Sequence, residues 1–96
     1  MDKAATVRRK RDAIRRIARR YGAVDIHLFG SVARGEETNA SDIDFLVELE
    51  EGRSLLDLGG MLMDLREELG TEVDLTNVNS LPPEQKARIL KDARPV

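Results

Sequence analysis

Two carboxylates lie two residues apart near the middle of the chain, where Asp42 and Asp44 flank Ile43. In an extended strand, side chains at i and i+2 point to the same face, so the two groups lie close enough to share a divalent cation. Oxygen ligands of this kind favour Mg²⁺ or Mn²⁺, and Mg²⁺ usually takes one or two carboxylates together with phosphate oxygens. Asp-x-Asp alone is common at strand edges, and without a cation the two charges repel each other.

A glycine and a serine precede these aspartates, with ten residues between Ser31 and Asp42. Gly30 directly follows an apolar segment, where a glycine lets the backbone turn sharply and approach a ligand closely. Ser31 then begins a short helix, whose free N–H groups and positive dipole end attract phosphate. Gly-Ser alone is a weak signal. Together with Asp42 and Asp44 it predicts a site for a nucleoside triphosphate and Mg²⁺.

A third carboxylate, Asp74, lies between Val73 and Leu75. In a strand, these apolar neighbours point to the face opposite the carboxylate. If this strand is adjacent to the one that carries Asp44, Asp74 can complete the metal site or accept the proton of an attacking hydroxyl. The alternative is an exposed strand aspartate without a chemical role.

The segments that position these residues alternate between helical and extended patterns. Helical spacing of apolar residues predicts helices over residues 5–21, 31–35, 54–70 and 82–92. Alternation predicts strands over residues 24–29, 43–49 and 72–78. In the third helix, the apolar stripe expected to face the core consists of Leu55, Leu58, Leu62, Leu65 and Leu69. The order α-β-α-β-α-β-α predicts a single domain over residues 1–96, an α/β (α+β) fold with helices covering a small sheet.

The composition excludes several classes of site. The chain has no cysteine and one histidine, His27, which excludes disulfides, thiol nucleophiles, Cys-ligated metals and an all-histidine metal site. The absence of cysteine is compatible with a cytoplasmic protein. No run approaches the roughly 18 apolar residues that span a bilayer, and the charged beginning of the chain lacks the apolar region of a signal peptide. We therefore expect a cytoplasmic protein that does not enter a membrane.

Basic and acidic residues are unevenly distributed. Residues 1–21 contain nine Lys or Arg and two acidic residues, whereas residues 22–96 contain seven basic and sixteen acidic ones. A basic first helix is typical either of a solvated face that complements an acidic body or of a surface for phosphates, RNA or an acidic partner. Tyr21, Phe29 and Phe45 are too few for a base-stacking platform. Nucleic-acid binding through the basic helix is therefore the weakest hypothesis.

The three motifs together resemble a known family. They are Gly-Ser-Val-Ala-Arg-Gly at 30–35, Ser-Asp-Ile-Asp-Phe at 41–45 and Val-Asp-Leu at 73–75. This pattern is similar to the minimal nucleotidyltransferases of the DNA polymerase beta superfamily, the antitoxin components of HEPN–MNT toxin–antitoxin pairs. The resemblance covers about residues 10–92.

The resemblance assigns roles to individual residues. It implies that Gly30 and Ser31 bind the triphosphate of ATP. It also implies that Asp42, Asp44 and Asp74 form the catalytic site and bind Mg²⁺, as two ions. Arg34 matches a frequent Ala-Arg-Gly of the family and either contacts phosphate or braces the acidic strand.

The same resemblance implies an activity and a partner. Members transfer AMP to a tyrosine of the partner toxin, so the expected complex contains this chain and a HEPN-domain toxin. A domain of 96 residues is too small to enclose both a nucleotide and an acceptor, which also places the acceptor on a second protein. The rival hypothesis is a non-catalytic antitoxin that neutralises its toxin by contact alone.

Overall fold

The computed structural model of the chain describes residues 2–96. Its helices are α1 (Lys3–Arg9), α2 (Arg11–Arg20), α3 (Gly30–Arg34), α4 (Leu55–Leu69) and α5 (Pro83–Asp92), with a single 3₁₀ turn at Val78–Ser80. Its strands are β1 (Ala23–Phe29), β2 (Ile43–Leu49), β3 (Val73–Asn77) and β4 (Arg94–Pro95). This mixture of helices and one small sheet confirms the predicted α/β class.

The four strands form a mixed sheet in the order β3-β2-β1-β4. β1 runs antiparallel to both β2 and β4, whereas β2 and β3 are parallel. The register aligns Asp44 with Phe29 on one side and with Asp74 on the other. The end of β1 and the beginnings of β2 and β3 therefore meet at one end of the sheet.

Strand alternation gives the sheet an apolar face and a polar face. The buried strand residues of the main core are Ile26, Leu28, Ile43, Phe45, Val47, Leu49 and Val73. They pack with residues of α2 and α4, among which Ile14, Met61 and Leu65 are fully buried. Residues of the opposite parity, including His27, Asp44 and Asp74, consequently point away from this core.

Local signals define the ends of α4, which follows β2 and returns the chain to the beginning of β3. Ser54 accepts a hydrogen bond from the N–H of Leu56, and Asp57 accepts one from the N–H of Ser54, which completes a capping box. Gly70 ends the helix in the left-handed conformation at φ 66°. Because α4 connects the end of β2 to the beginning of the parallel strand β3, it runs antiparallel to both strands.

The structure differs from the predicted element order at both ends of the chain. The first helix is divided at Lys10, whose backbone departs from the helical conformation at φ −102° and ψ 16°. The Nζ of Lys10 donates to the carbonyl oxygen of Glu68 at 2.6 Å, a contact with a distant segment that helical periodicity does not indicate. The fourth strand, Arg94–Pro95, pairs with His27–Leu28 and is too short to show an alternating pattern.

The predicted core stripe of α4 also needs one correction. Leu65 and Leu69 are buried as predicted, but Leu55 is 84% exposed and lies outside the core. Met61, which the predicted stripe leaves out, is fully buried in the core. Helical spacing therefore predicts the direction of a side chain but not whether another element packs against it.

None of the helices in the described part of the chain is long and apolar enough to cross a membrane.

Candidate active site

Asp44 and Asp74 are neighbours on the polar face of the sheet. Each is the second residue of its strand, and the parallel register makes their Cα atoms partners on adjacent strands, which lie about 4.8 Å apart. The flanking residues Ile43 and Val73 are buried in the core, so both carboxylates point away from it. Asp44 is half-buried and Asp74 is exposed. The tertiary structure thus brings together two carboxylates that are thirty residues apart in sequence.

Asp42 lies just before β2 rather than inside it, and it is exposed. Its charge nevertheless reaches the pair. Burial raises the pKa of Asp44 above its ordinary value, and the negative charges of Asp74 and then Asp42 raise this pKa further, while Arg34 lowers it. The three carboxylates therefore form one electrostatic cluster, in which Asp44 is the least solvated.

Gly30 lies directly against this cluster. Its φ is +78°, in the region that residues with a Cβ rarely adopt. A Cβ at this position would collide with Oδ2 of Asp44. Ser31 follows in the first turn of α3 and is half-buried. Only a glycine lets the backbone at the start of α3 come this close to the carboxylate.

Arg34 forms ion pairs with two acidic residues outside the carboxylate cluster. Its Nε lies 3.2 Å from Oε2 of Glu36, and its Nη1 lies 3.3 Å from Oδ2 of Asp92. The second ion pair joins α3 to α5. Neither Glu36 nor Asp92 belongs to the acidic strand β2, so a phosphate contact and a bracing role both stay predictions for Arg34. The positive charge of Arg34 lowers the pKa of Asp44, so this charge reaches the carboxylate cluster.

Lys3 and Glu37 stabilise the loop that precedes Asp42, and no sequence motif indicates either residue. The Nζ of Lys3 donates to the carbonyl oxygens of Asn39, at 3.4 Å, and Ser41. The carboxylate of Glu37 accepts hydrogen bonds from the N–H of Lys3, both at 3.1 Å. The beginning of α1 therefore holds the loop that leads to Asp42. Neither residue belongs to a sequence motif. The carboxylate of Glu37 lies at the N-terminus of α1, where a negative charge interacts favourably with the helix dipole.

The chemistry of the donor set fits a hard divalent cation. Oxygen ligands and mutual repulsion among Asp42, Asp44 and Asp74 both favour a bound positive charge. Among residues 2–96, no group of three His, Cys, Asp or Glu side chains is arranged to hold a metal ion by itself. A cation at this place would therefore complete its coordination with phosphate oxygens and water, as Mg²⁺ commonly does.

Comparison with known proteins identifies the family. The family described as nucleotidyltransferase domain matches residues 10–96. The chain belongs to this family. As a nucleotidyltransferase it is also similar to a solved structure that is provisionally named a minimal nucleotidyltransferase, with a TM-score of 0.91, 42% identity, and coverage of 100% of this chain and 97% of that chain.

The chain is also similar to curated proteins that are named protein adenylyltransferases. The MJ0435 protein of Methanocaldococcus jannaschii, provisionally named a protein adenylyltransferase, is 49% identical over 77% of this chain and 80% of its own length. The protein adenylyltransferase MntA of Thermococcus cleftensis is 44% identical over 65% of this chain and 63% of its own length. A crystal structure of a toxin–antitoxin with AMP-PNP shares the fold, with a TM-score of 0.75 at 22% identity, over 88% of this chain and 69% of that chain.

Proposed function

We propose that this nucleotidyltransferase transfers AMP from ATP to a hydroxyl group of a partner protein. The observation that carries the proposal is the alignment of Asp44 with Asp74 beside the close backbone approach of Gly30. Carboxylates and a glycine-led helix start then face the same space. A cation and a polyphosphate are the ligands that such a pair of features would bind together.

In this proposal the triphosphate lies along the start of α3. The free N–H groups of the first turn and the hydroxyl of Ser31 would donate to phosphate oxygens. Arg34 is half-exposed in surface ion pairs, which are individually weak, so its guanidinium is able to exchange Asp92 for a phosphate group. These donors would position the α-phosphate next to the carboxylates.

Asp42, Asp44 and Asp74 would hold Mg²⁺, which when bound polarises the α-phosphate and neutralises the departing pyrophosphate. The acceptor oxygen forms a bond to the α-phosphorus, and the bond from that phosphorus to the bridging oxygen of the β-phosphate breaks. The hydroxyl proton passes to a carboxylate, for which we propose Asp74, the more exposed of the strand pair. Positioning and electrostatic stabilisation supply most of the acceleration in such transfers.

We further propose a tyrosine of a HEPN-domain toxin as the acceptor, with the modification neutralising the toxin in the cytoplasm. The carboxylates lie on open surface, where Asp42 and Asp74 are exposed, so a protein can present a side chain to them directly. The name of the Thermococcus relative and the toxin–antitoxin structure of the same fold support a protein acceptor.

The test uses ATP labelled on the α-phosphate. The full chain, copurified with its partner, is incubated with Mg²⁺ and labelled ATP, and the label is followed on each protein. We expect label on the partner and release of pyrophosphate. Asp44→Asn should abolish transfer because it removes a charge from the cluster.

Glu48→Gln is the matched control, because Glu48 lies four residues along the same strand, exposed and on the same face. It should retain transfer. Label that arrives only from γ-labelled ATP would identify a kinase and contradict the proposal. Tight partner binding without any transfer, unchanged in Asp44→Asn, would instead identify an antitoxin that acts by contact alone.

A further inference from the structure

We propose that a cleft rimmed by arginines is the surface through which this chain binds its acceptor protein, and that the acceptor inserts an acidic segment with an apolar side chain. The cleft has a volume of about 340 Å³ and lies where α1, α3 and the edge strand β4 meet. Three exposed arginines line it, Arg8, Arg11 and Arg94. We call it the arginine cleft. The inference rests on the proposed function, because it assigns a docking surface to the protein that receives AMP.

Ion pairs within residues 2–96 do not neutralise the positive charge of the arginine cleft. None of its three arginines forms a salt bridge there, and no aspartate or glutamate lines the cleft. Arg8 acts on one carboxylate outside the cleft: a hydrogen bond from the N–H of Ala5 and, more weakly, the charge of Arg8 lower the pKa of Asp2. The cleft therefore presents an excess of positive charge and attracts an anionic partner.

The floor of the arginine cleft is apolar. Its walls include Val7, Leu28 and Val32, which are buried core residues, and the exposed Pro95 of β4. Guanidinium groups bind carboxylates through two parallel N–H donors, and arginine is enriched in protein interfaces. A cationic rim over an apolar floor therefore fits a segment in which acidic residues flank an apolar one.

The same walls favour a protein over a nucleic acid as the occupant. No aromatic residue lines the arginine cleft, so it lacks the surface on which unpaired bases stack. A phosphate backbone could reach the arginines, but it has no apolar group to cover the floor. A peptide segment satisfies both the rim and the floor.

Hydrogen bonds hold the outer wall of the arginine cleft in place. The Nε of Arg15 donates to the carbonyl oxygen of Val96 at 2.8 Å, and the N–H of Val96 donates to the carbonyl oxygen of Ile26 at 3.4 Å. These contacts fix the residue after β4 to α2 and to β1. The cleft is therefore formed before a partner binds, which lowers the entropic cost of association.

The short helix α3 joins the arginine cleft to the carboxylate cluster. Gly30, its first residue, lies against Asp44, whereas Val32 and Ala33 line the cleft. Five helical residues span only about 8 Å. A protein bound in the cleft thus leaves the carboxylates open and can bring a hydroxyl group of its own to them.

Fluorescence anisotropy with the full chain tests both the charge and the apolar floor. The probes are a labelled peptide of alternating glutamate and leucine, a peptide of the same length and charge with serine in place of leucine, and a single-stranded RNA of similar charge. We expect the leucine peptide to bind most tightly. Its affinity should fall between about 0.1 M and about 1 M salt, because the Debye length falls from about 10 Å to about 3 Å.

Arg8→Glu and Arg11→Glu should each weaken binding of the leucine peptide by about tenfold or more, since a charge-assisted contact becomes a repulsion. Arg11→Gln removes the charge without reversing it and should cause a smaller loss. Arg16→Glu is the matched control, because Arg16 is exposed on the same helix as Arg11 and lines a different cleft. Circular dichroism checks that each variant is folded.

Equal losses in Arg11→Glu and Arg16→Glu would overturn the inference, because they would mean a general attraction to the basic helices. A serine peptide that binds as tightly as the leucine peptide would also overturn it. Tighter binding of the RNA, lost in Arg8→Glu and Arg11→Glu, would assign the cleft to a nucleic acid instead.

The labelled-ATP assay separates the docking surface from the proposed function. Arg11→Glu should raise the partner concentration required for half-maximal transfer about tenfold or more and leave the ATP requirement unchanged. Transfer with an unchanged partner requirement would overturn the docking surface while the proposed function stands. If the wild type transfers no AMP, the proposed function fails, and peptide binding still decides whether the arginine cleft holds an acidic segment.

Discussion

At the scale of the single residue, Gly30 combines two independent requirements. Its backbone has a positive φ, and its missing side chain leaves the space that Asp44 occupies. Gly35, at the other end of the same motif, shares only the first requirement: its φ is +73°, and a Cβ there would meet nothing within 4 Å. The two glycines therefore separate backbone strain from the contact with the carboxylate.

Gly30→Ala should abolish AMP transfer and lower the free energy of unfolding by about 1–3 kcal/mol. Gly35→Ala should cost a comparable 1–2 kcal/mol, roughly the penalty of a left-handed alanine, while transfer persists. Urea unfolding and the labelled-ATP assay measure both effects. Equal loss of transfer in the two variants would mean that backbone strain, rather than displacement of Asp44, disables the site.

The ionised carboxylate of Asp44 destabilises the folded chain at neutral pH. Its pKa is raised in the folded chain, first by burial and then by Asp74 and Asp42. For a carboxyl with a raised native pKa, stability is greatest below the unfolded value and falls as the pH rises through the native value. At a pH above the native pKa of Asp44, its charged carboxylate therefore lowers the free energy of unfolding.

We expect Asp44→Asn to unfold at a higher temperature than the wild type at pH 7. The difference should shrink as the pH is lowered toward the ordinary Asp pKa of 3.8, because both the native and unfolded wild type then carry a protonated Asp44. Calorimetry over this pH range tests it, with Glu48→Gln as the control. A less stable Asp44→Asn at pH 7 would contradict the proposed repulsion.

At the scale of elements, α1 matters because it fixes the loop before β2. The Nζ of Lys3 holds the carbonyl oxygens of Asn39 and Ser41, immediately before Asp42. Asp42 lies outside the strand, so the sheet alone does not position it. α1 therefore positions Asp42, whereas the register between β2 and β3 positions Asp44 and Asp74.

Lys3→Met should therefore raise the concentration of ATP required for half-maximal transfer several-fold, with a change in unfolding free energy within about 1 kcal/mol. Lys3→Arg keeps a donor and should restore much of the effect. Lys91→Met, on the exposed side of α5, serves as the control. An unchanged ATP requirement in Lys3→Met would show that the loop is positioned without this contact.

At the scale of the whole molecule, the uneven charge is partly resolved within the fold. Lys10 pairs with Glu68 at 3.3 Å and Arg20 pairs with Asp64 at 3.4 Å, both between the basic α2 region and α4. Part of the basic segment thus complements the acidic body, as one of the two sequence hypotheses expected. Asp42, Asp44 and Asp74 are among the acidic residues that these two ion pairs do not neutralise.

Mg²⁺ and ATP together should stabilise the folded chain. At about 100 times its dissociation constant a ligand adds about 2.7 kcal/mol, which for a chain of this size corresponds to roughly 10–20 °C in thermal midpoint. Thermal unfolding with both, either or neither measures this, and removal of Mg²⁺ with a chelator should reverse it. A full shift with ATP alone would contradict a site built on carboxylates and a cation.

The sequence alone determined the family, the fold class and most elements. The motifs at 30–35 and 41–45 are local, and hydrophobic periodicity directly reports helices and strands that bury one face. The capping box at Ser54 and the stop at Gly70 depend on neighbouring residues only, so they too were predictable.

Only the tertiary structure decided how these parts meet. The alignment of Asp44 with Asp74 depends on strand order and register, and the space at Gly30 depends on where Asp44 points. The strand Arg94–Pro95 exists because it pairs with the distant segment His27–Leu28. Leu55 has the right spacing for the core and yet is 84% exposed, because periodicity gives the direction of a side chain but not whether another element packs against it.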